Sequence, residues 1–304
     1  MAITAAMVKE LRDATSAGMM DCKKALNETG GDLEAAADWL RKKGIAKAGK
    51  KAGRVAAEGL VAAATNGTKG VVVEVNSETD FVARNDIFQQ TVAKIAQTGL
   101  STSSTEELAA AELEGGKSVT DYLTELVGKI GENMSFRRME ALEVKSGVVA
   151  SYIHNAVATD MGKIGVLVAL ESEGDTAKLE ELAKKIAMHV AATAPLANTV
   201  ADLDDAVVAK EREMLKAEAL ESGKPEAIVD KMVEGRIQKF FKESVLATQI
   251  FVMDGERSIS KVLEDEGKAL GADITLAGFV RMAVGEGIEK KEENFAEEVA
   301  SLNK

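Results

Sequence analysis

The sequence predicts an α+β protein with additional all-helical parts. Three observations carry this. Alanine-rich stretches with apolar residues at helical spacing dominate, and aromatics make up only 4% of the 304 residues, a composition that favours helix. Strands are read at 59–65, 71–75, 147–153 and 164–168, supported by the β-branched content of 71–75 and 164–168. These runs fall into two similar blocks, each reading strand, strand, helix, which marks a duplicated unit. The 46% hydrophobic content suits a folded chain, and the length suggests about two domains of ~150 residues with small modules added.

Three short helices are predicted over residues 1 to about 44. Thr4 caps the first, Ile3 and Val8 form a hydrophobic staple, and Val8 and Leu11 share a face. Thr15-Ser16-Ala17-Gly18 breaks it. A second helix runs from about Met20 to Glu28 and stops at Gly30-Gly31. Asp32 caps a third, with Leu33, Ala36, Ala37 and Leu40 on one stripe, ending before Gly44. Such a unit lies near the lower size limit for an independent core. The adjacent Met19 and Met20 cannot both face it. Residues 41–54 then hold seven basic residues (Arg41, Lys42, Lys43, Lys47, Lys50, Lys51, Arg54) and no acid. With a net charge of −12 for the chain, they read as a solvated, partly helical linker in preference to an RNA contact.

In the first block, Gly59–Thr65 is followed by an Asn66-Gly67 turn and by Gly70–Asp80. In the second, Gly147–Ile153 precedes a loop and Gly165–Asp175. Each block has an aspartate ten residues after the glycine of its second strand. Helices Ile87–Gln97 and Leu179–Ala192 follow. Two sheets are expected, each with helices on one face. The copies diverge after the shared aspartate. The second continues Thr176-Ala177-Lys178, and the first Phe81-Val82-Ala83-Arg84-Asn85-Asp86. Asn85 suits a helix cap, so Asp80-Phe81-Val82 is expected in the connection, outside both elements. Apolar residues there either fold back onto the core or project toward a partner. The second copy closes without an aromatic, which favours projection. Asp80 either acts at a distance through its charge or, as the matching aspartate suggests, holds the loop by bonding local amides.

Ala206–Leu220, with Val208, Leu215 and Ala219 on one side, ends at Ser222-Gly223-Lys224-Pro225. Ile228, Val229, Met232, Val233, Ile237, Phe240 and Phe241 then recur at helical spacing, predicting an antiparallel helical hairpin with arms of ~26 Å. Its uncovered apolar surface suits self-association or a partner. In the tail, Ser258 or Ser260 starts a short helix to Glu266. Asp273–Val284 alternates as a strand, and Phe295 and Val299 mark a last acidic helix over Glu289–Leu302. The expected parts are 1–54, 55–146, 147–201 with 245–284, the hairpin 202–244, and 285–304.

Nothing in the chain composes an active site. The single Cys22 excludes an intrachain disulfide and Cys-based metal sites, and His154 and His189 lie far apart. Gly115-Gly116-Lys117-Ser118 lacks the first glycine of a phosphate-binding loop, with Ala111 in its place, and Gly285-Glu286-Gly287 lacks the third glycine of a dinucleotide loop. His189 reads as packed or capping, and His154 as the exposed end of a strand. No apolar run approaches the ~18 residues of a membrane span, and the N-terminus is not a signal peptide. The expectation is a cytoplasmic binding protein with no cofactor and no covalent chemistry.

Leu11-Arg12-Asp13-Ala14-Thr15-Ser16-Ala17-Gly18-Met19-Met20-Asp21-Cys22-Lys23-Lys24-Ala25-Leu26 resembles the N-terminal signature of the bacterial translation elongation factor Ts family. Glu74-Val75-Asn76-Ser77-Glu78-Thr79-Asp80-Phe81-Val82-Ala83-Arg84-Asn85 is similar to its second signature. Lys129-Ile130-Gly131-Glu132-Asn133, His189–Ala192 and Val284–Lys290 match further stretches. The resemblance implies a guanine-nucleotide exchange factor for the GTPase elongation factor Tu. It implies an N-terminal domain similar to ubiquitin-associated (UBA) domains, two related core subdomains, a coiled-coil hairpin and a C-terminal module. It sets Arg12, Met19 and Met20 against the partner's G domain. It inserts the Asp80-Phe81 loop, with Thr79 and Val82 beside it, where it disturbs Mg²⁺ and nucleotide. It brings His154 near the partner's distal domain. The loop at 155–162 is longer than is common in that family. No direct contact with nucleic acid or membrane is implied. The alternative is a helical-hairpin scaffold without exchange activity; an enzyme is disfavoured by the missing site.

Overall fold

The computed structural model describes residues 3–15, 17–221 and 226–289. Its elements run α1 (Ala5–Thr15), α2 (Met19–Glu28), α3 (Leu33–Lys51), β1 (Glu58–Thr65), β2 (Lys69–Ser77), α4 (Asp80–Ala83), α5 (Asp86–Gly99), α6 (Thr105–Ala110), β3 (Glu112–Glu114), β4 (Lys117–Ser118), α7 (Val119–Ile130), β5 (Met134–Glu143), β6 (Gly147–Ala158), β7 (Met161–Glu171), α8 (Thr176–Thr193), α9 (Asp205–Glu221), α10 (Glu226–Ser244), α11 (Ile259–Leu270) and β8 (Thr275–Ala283). The hairpin turn at 222–225 and the acidic helix expected over Glu289–Leu302 (beyond Glu289 itself) lie outside the described residues.

Helices α1 to α3 enclose a small core of Leu11, Cys22, Ala25, Leu26 and Ala36. Thr4 accepts the Met7 amide at 3.3 Å and Asp32 the Ala35 amide at 2.9 Å, the capping that starts α1 and α3. The sequence predicts an end before Gly44 and a linker over 41–54. Helix α3 instead continues to Lys51, so most of that linker is helical. Gly44 lies against Gly128 of α7, where a Cβ on Gly128 would come 2.7 Å from the Gly44 Cα. Close packing there outweighs glycine's poor helix propensity, about 1 kcal/mol. Lys51 also donates to the Gly131 carbonyl at the end of α7.

The two strand–strand–helix blocks form two three-stranded antiparallel layers, β5-β2-β1 and β6-β7-β8. They do not stay separate sheets, as expected, but join into one six-stranded sheet. Strand β8 covers β7 only from Ile164 onward. The edge left at Met161 and Gly162 pairs with Ala62 and Val61 of β1. Beyond this seam the layers pack face to face through Val61, Ala63, Val72, Val149, Leu167, Ala169 and Met282. Alternate residues of β1 and β2 (Leu60, Ala62, Val71, Val73, Val75) face α5 and α7 instead. Val166, Val168 and Leu170 of β7 likewise face α8 and α11. Strands buried on both faces read as continuous apolar runs, which explains the character of 71–75 and 164–168.

The repeated glycines have matching duties. A Cβ on Gly70 would come 2.6 Å from Val149 Cγ1, and one on Gly165 2.5 Å from Val61 Cγ1. Both therefore set how closely the layers approach. Gly59 and Gly147 hold φ of +121° and +118°, which L side chains rarely adopt, and each abuts a neighbouring strand's carbonyl.

The long loop expected at 155–162 is a β-hairpin. Strand β6 continues to Ala158 and β7 starts at Met161, leaving Thr159-Asp160 as the turn. Asn155 and Asp160 adopt positive φ, 53° and 55°, and the register shifts between Ala156 and Ala158, so the ladder twists. Met161 is buried against the first block's core, which fixes this extension in place. Strand β5 and helices α6 and α7 were not foreseen; the charges of β5 hide an edge strand that pairs with β2. Helices α9 and α10 share Ala219, Val229, Val233 and Ile237. Their base, through Val208, Phe240 and Phe241, packs on Ala197, Leu203 and Val245.

His189 is fully buried in α8. Its Nδ1 accepts the Val252 amide at 3.3 Å, so Nε2 carries the proton and donates to Gln249 Oε1 at 2.9 Å. Burial pushes its pKa below the ordinary 6.5, against the smaller opposing effect of Gln249. The folded state thus binds fewer protons than the unfolded one. Its contribution is complete above about 6.5 and declines as pH falls through and below it. Thermal melts at pH 7.5 and 5.5 should show a steeper loss for the wild type than for His189→Gln. Equal slopes would remove His189 from the acid sensitivity.

Candidate functional site

The segment after β2 lies outside both β2 and α5, as expected, and forms a turn of its own. Thr79 is extended (φ −126°, ψ 160°) and Asp80–Ala83 closes one helical turn, α4. The carbonyls of Phe81 and Val82 accept the amides of Arg84 and Asn85 at 3.1 and 2.9 Å. Asn85 then caps α5 through the Ile87 and Phe88 amides, at 3.0 and 3.2 Å. Successive residues on a helix point about 100° apart. The turn therefore separates Phe81 from Val82. Val82 is buried beside Phe88 in the core, whereas Phe81 is 78% exposed. Val82, expected among the residues acting on the partner, is an anchor of the turn. Val82 folds back onto the core, and its neighbour Phe81 is left exposed.

Asp80 does not have the role of its counterpart. Asp175 caps α8 by accepting the Lys178 amide at 3.0 Å. Asp80 lies inside α4, half-exposed, 3.9 Å from Arg84 of the same turn.

Glu78 and Glu132 were missed as site residues. Glu132 follows α7 and accepts both the Thr79 amide (3.0 Å) and the Thr79 hydroxyl (2.8 Å). Glu78 accepts the Asn133 amide at 2.5 Å and pairs with Arg54 at 3.2 Å. Both lie in stretches noted above, but their sequence separation gives no sign of the pairing.

The other candidates sit on separate elements. Arg12 is exposed in the last turn of α1, and Met19 and Met20 are 59% and 78% exposed at the start of α2. His154 is exposed on β6, its Nδ1 3.2 Å from Tyr152 Oη.

The glycine motifs have structural explanations. Gly115-Gly116 is the turn between β3 and β4, Lys117 pairs with Glu125 at 2.7 Å, and Ser118 caps α7. Gly285 donates its amide to buried Glu74 at 2.7 Å. Asn76 (2.9 Å), Arg137 (3.1 Å) and Arg138 (2.6 Å) donate to the same carboxylate. Burial acts to raise the Glu74 pKa, but the Gly285 amide, Asn76 and Arg138 outweigh it and hold the group below 4.5. Arg138 also donates to the Ala283 carbonyl, and Arg137 to that of Glu286. The segment is thus clamped to β2 and β5.

Among the described residues, no three His, Cys, Asp or Glu side chains gather as a metal site, and no helix is long and apolar enough to cross a membrane. Phe81 on its short turn and the Met19-Met20 pair on α2 are thus exposed apolar side chains on separate elements. The elongation factor Ts family model matches residues 78–286. The elongation factor Ts of Maricaulis maris is 59% identical over 306 residues, covering 99% of this chain and 98% of its own. That of Parvibaculum lavamentivorans is 58% identical, covering 98% of each chain. That of Caulobacter vibrioides is 55% identical, covering 99% of this chain and 98% of its own. The chain belongs to the elongation factor Ts family of translation factors.

Proposed function

We propose that this chain is a guanine-nucleotide exchange factor for the GTPase elongation factor Tu, and that it acts in the cytoplasm without covalent chemistry. The observation that carries this is Phe81, 78% exposed at the tip of a turn whose next residue is buried. Phe81 enters the GTPase near its nucleotide site and occupies space that closes when Mg²⁺ and nucleotide are bound. Asp80 brings a negative charge to the same place, and Thr79 sets the start of the turn. Linkage then requires that nucleotide and exchange factor weaken each other's binding by the same factor.

In this reading α1 to α3 act as a UBA-like docking domain through Arg12, Met19 and Met20. The two strand–strand–helix blocks are the core subdomains, with His154 of the second meeting the partner's distal domain. The hairpin is a coiled coil, and its exposed Met214, Leu220 and Ile228 support self-association. The test is release of a fluorescent GDP from purified elongation factor Tu on mixing with this protein. No acceleration would sink the proposal and leave a scaffold role.

The docking patch has its own test. Arg12→Ala with Met20→Ala removes two exposed side chains, so circular dichroism should be unchanged. Burying a methionine contributes roughly 1.5–3 kcal/mol, so affinity for the GTPase should fall by on the order of tenfold or more in titration calorimetry. Unchanged affinity would move the docking surface elsewhere.

A further inference from the structure

Helix α4 has only four residues, too few to be stable alone. Something outside it must hold the turn. Thr79 stands at its N-cap, yet makes no side-chain cap bond to it. Its hydroxyl and its amide both go to Glu132, at 2.8 and 3.0 Å. Ser77 Oγ donates to the Thr79 carbonyl at 2.9 Å. The three polar groups of Thr79 are therefore engaged, two of them by one carboxylate. Glu132 is aimed there by Gly131, which ends α7 in a left-handed conformation with φ +90°. The arrangement is reciprocal. Glu78 accepts the Asn133 amide at 2.5 Å, and Asn133 Nδ2 donates to the Arg54 carbonyl at 2.8 Å. Each segment thus offers a carboxylate to the other's backbone. Bonds to an ionised acceptor are roughly twice as strong as neutral ones.

We infer that Glu132 is a positioning residue for exchange: its carboxylate holds Thr79 so that Phe81 is presented in one orientation before the partner arrives. This rests on the wedge reading of Phe81 given above. Glu132 touches neither nucleotide nor Mg²⁺ in this scheme. It reduces the ordering needed when Phe81 inserts, so its loss falls on the rate of release and not on docking.

The experiment measures GDP release from elongation factor Tu with wild type, Glu132→Ala, Glu132→Gln, Phe81→Ala and the Glu132→Ala/Phe81→Ala double variant. Glu132→Ala removes two charge-assisted hydrogen bonds and should lower kcat by on the order of tenfold or more, with KM changed by less than about twofold. Glu132→Gln keeps one acceptor and should recover part of the loss. On the Phe81→Ala background, Glu132→Ala should have no further effect. Hydrogen exchange at the Thr79 amide should quicken in Glu132→Ala while the circular dichroism spectrum stays that of the wild type. Full activity of Glu132→Ala overturns the inference. So does an equal loss on both backgrounds, or a KM increase at constant kcat. Phe81→Ala alone reads the wedge. If it stimulates release fully, the wedge reading fails, and an unchanged Thr79 amide would separately show that no brace exists.

Discussion

Phe81→Ala is expected to reduce stimulated GDP release by on the order of 10- to 150-fold, corresponding to the loss of roughly 1.5–3 kcal/mol of aromatic burial in the partner. The fold should be untouched, because Phe81 is 78% exposed while the anchor, Val82, and the cap, Asn85, remain. The mechanism also dictates a Mg²⁺ dependence. If Phe81 promotes departure of the ion, prior removal of Mg²⁺ with a chelator accomplishes that step without it. The gap between wild type and Phe81→Ala should then shrink. Rates of release across a range of Mg²⁺ concentrations decide this. A constant ratio would assign Phe81 to docking alone. Asp80→Asn should show a smaller loss with the same Mg²⁺ dependence, since its carboxylate is half-exposed and 3.9 Å from Arg84.

Glu74→Ala should have the largest effect on stability. It removes the acceptor for the Gly285 amide and for two arginines, none of which is fully exposed. Breaking a buried pair by deleting one partner costs about 3–5 kcal/mol. Both guanidiniums are about a third exposed and regain some hydration, so about 3 kcal/mol is expected here. That corresponds to a drop on the order of 6–12 °C in melting temperature. The pH sign is that of a depressed carboxyl. The stabilisation is present above about 4.5 and is lost as pH falls through the lower folded value. Scanning calorimetry at pH 7 and pH 4 measures both. If Glu74→Ala melts with the wild type at pH 7, the clamp on 283–286 contributes nothing to stability.

Much of the first test was legible in the residues. Two blocks with the same glycine and aspartate spacing exposed Phe81 as the feature that one copy has and the other lacks. That is a comparison internal to the chain, and it needed no coordinates. The fate of Val82 was not legible. A run of apolar residues has no direction until a backbone turn assigns one, and α4 sets 81 and 82 about 100° apart, one exposed and one buried.

Local pattern determined what neighbouring residues can settle among themselves. The caps at Asp32, Asn85 and Ser258 each bond an amide two or three residues on. The helical pair of α9 and α10 follows from periodicity and the central strands from their β-branched runs, and the signatures identified the family. The tertiary structure decided whatever depends on a distant partner. Helix α3 passes Gly44 because Gly128 of α7 meets it there. Two sheets become one because β8 leaves Met161 and Gly162 free for β1. Arg137 and Arg138 are consecutive in a strand and would point to opposite faces, yet both reach Glu74. A register shift between Glu74 and Val75 makes that possible. Glu132 reaches Thr79 across more than fifty positions. Spacing along a chain encodes the faces of single elements; it carries no distance between elements, so the bonds from Thr79 to Glu132 exist only once α7 has packed against β5, the neighbour of β2.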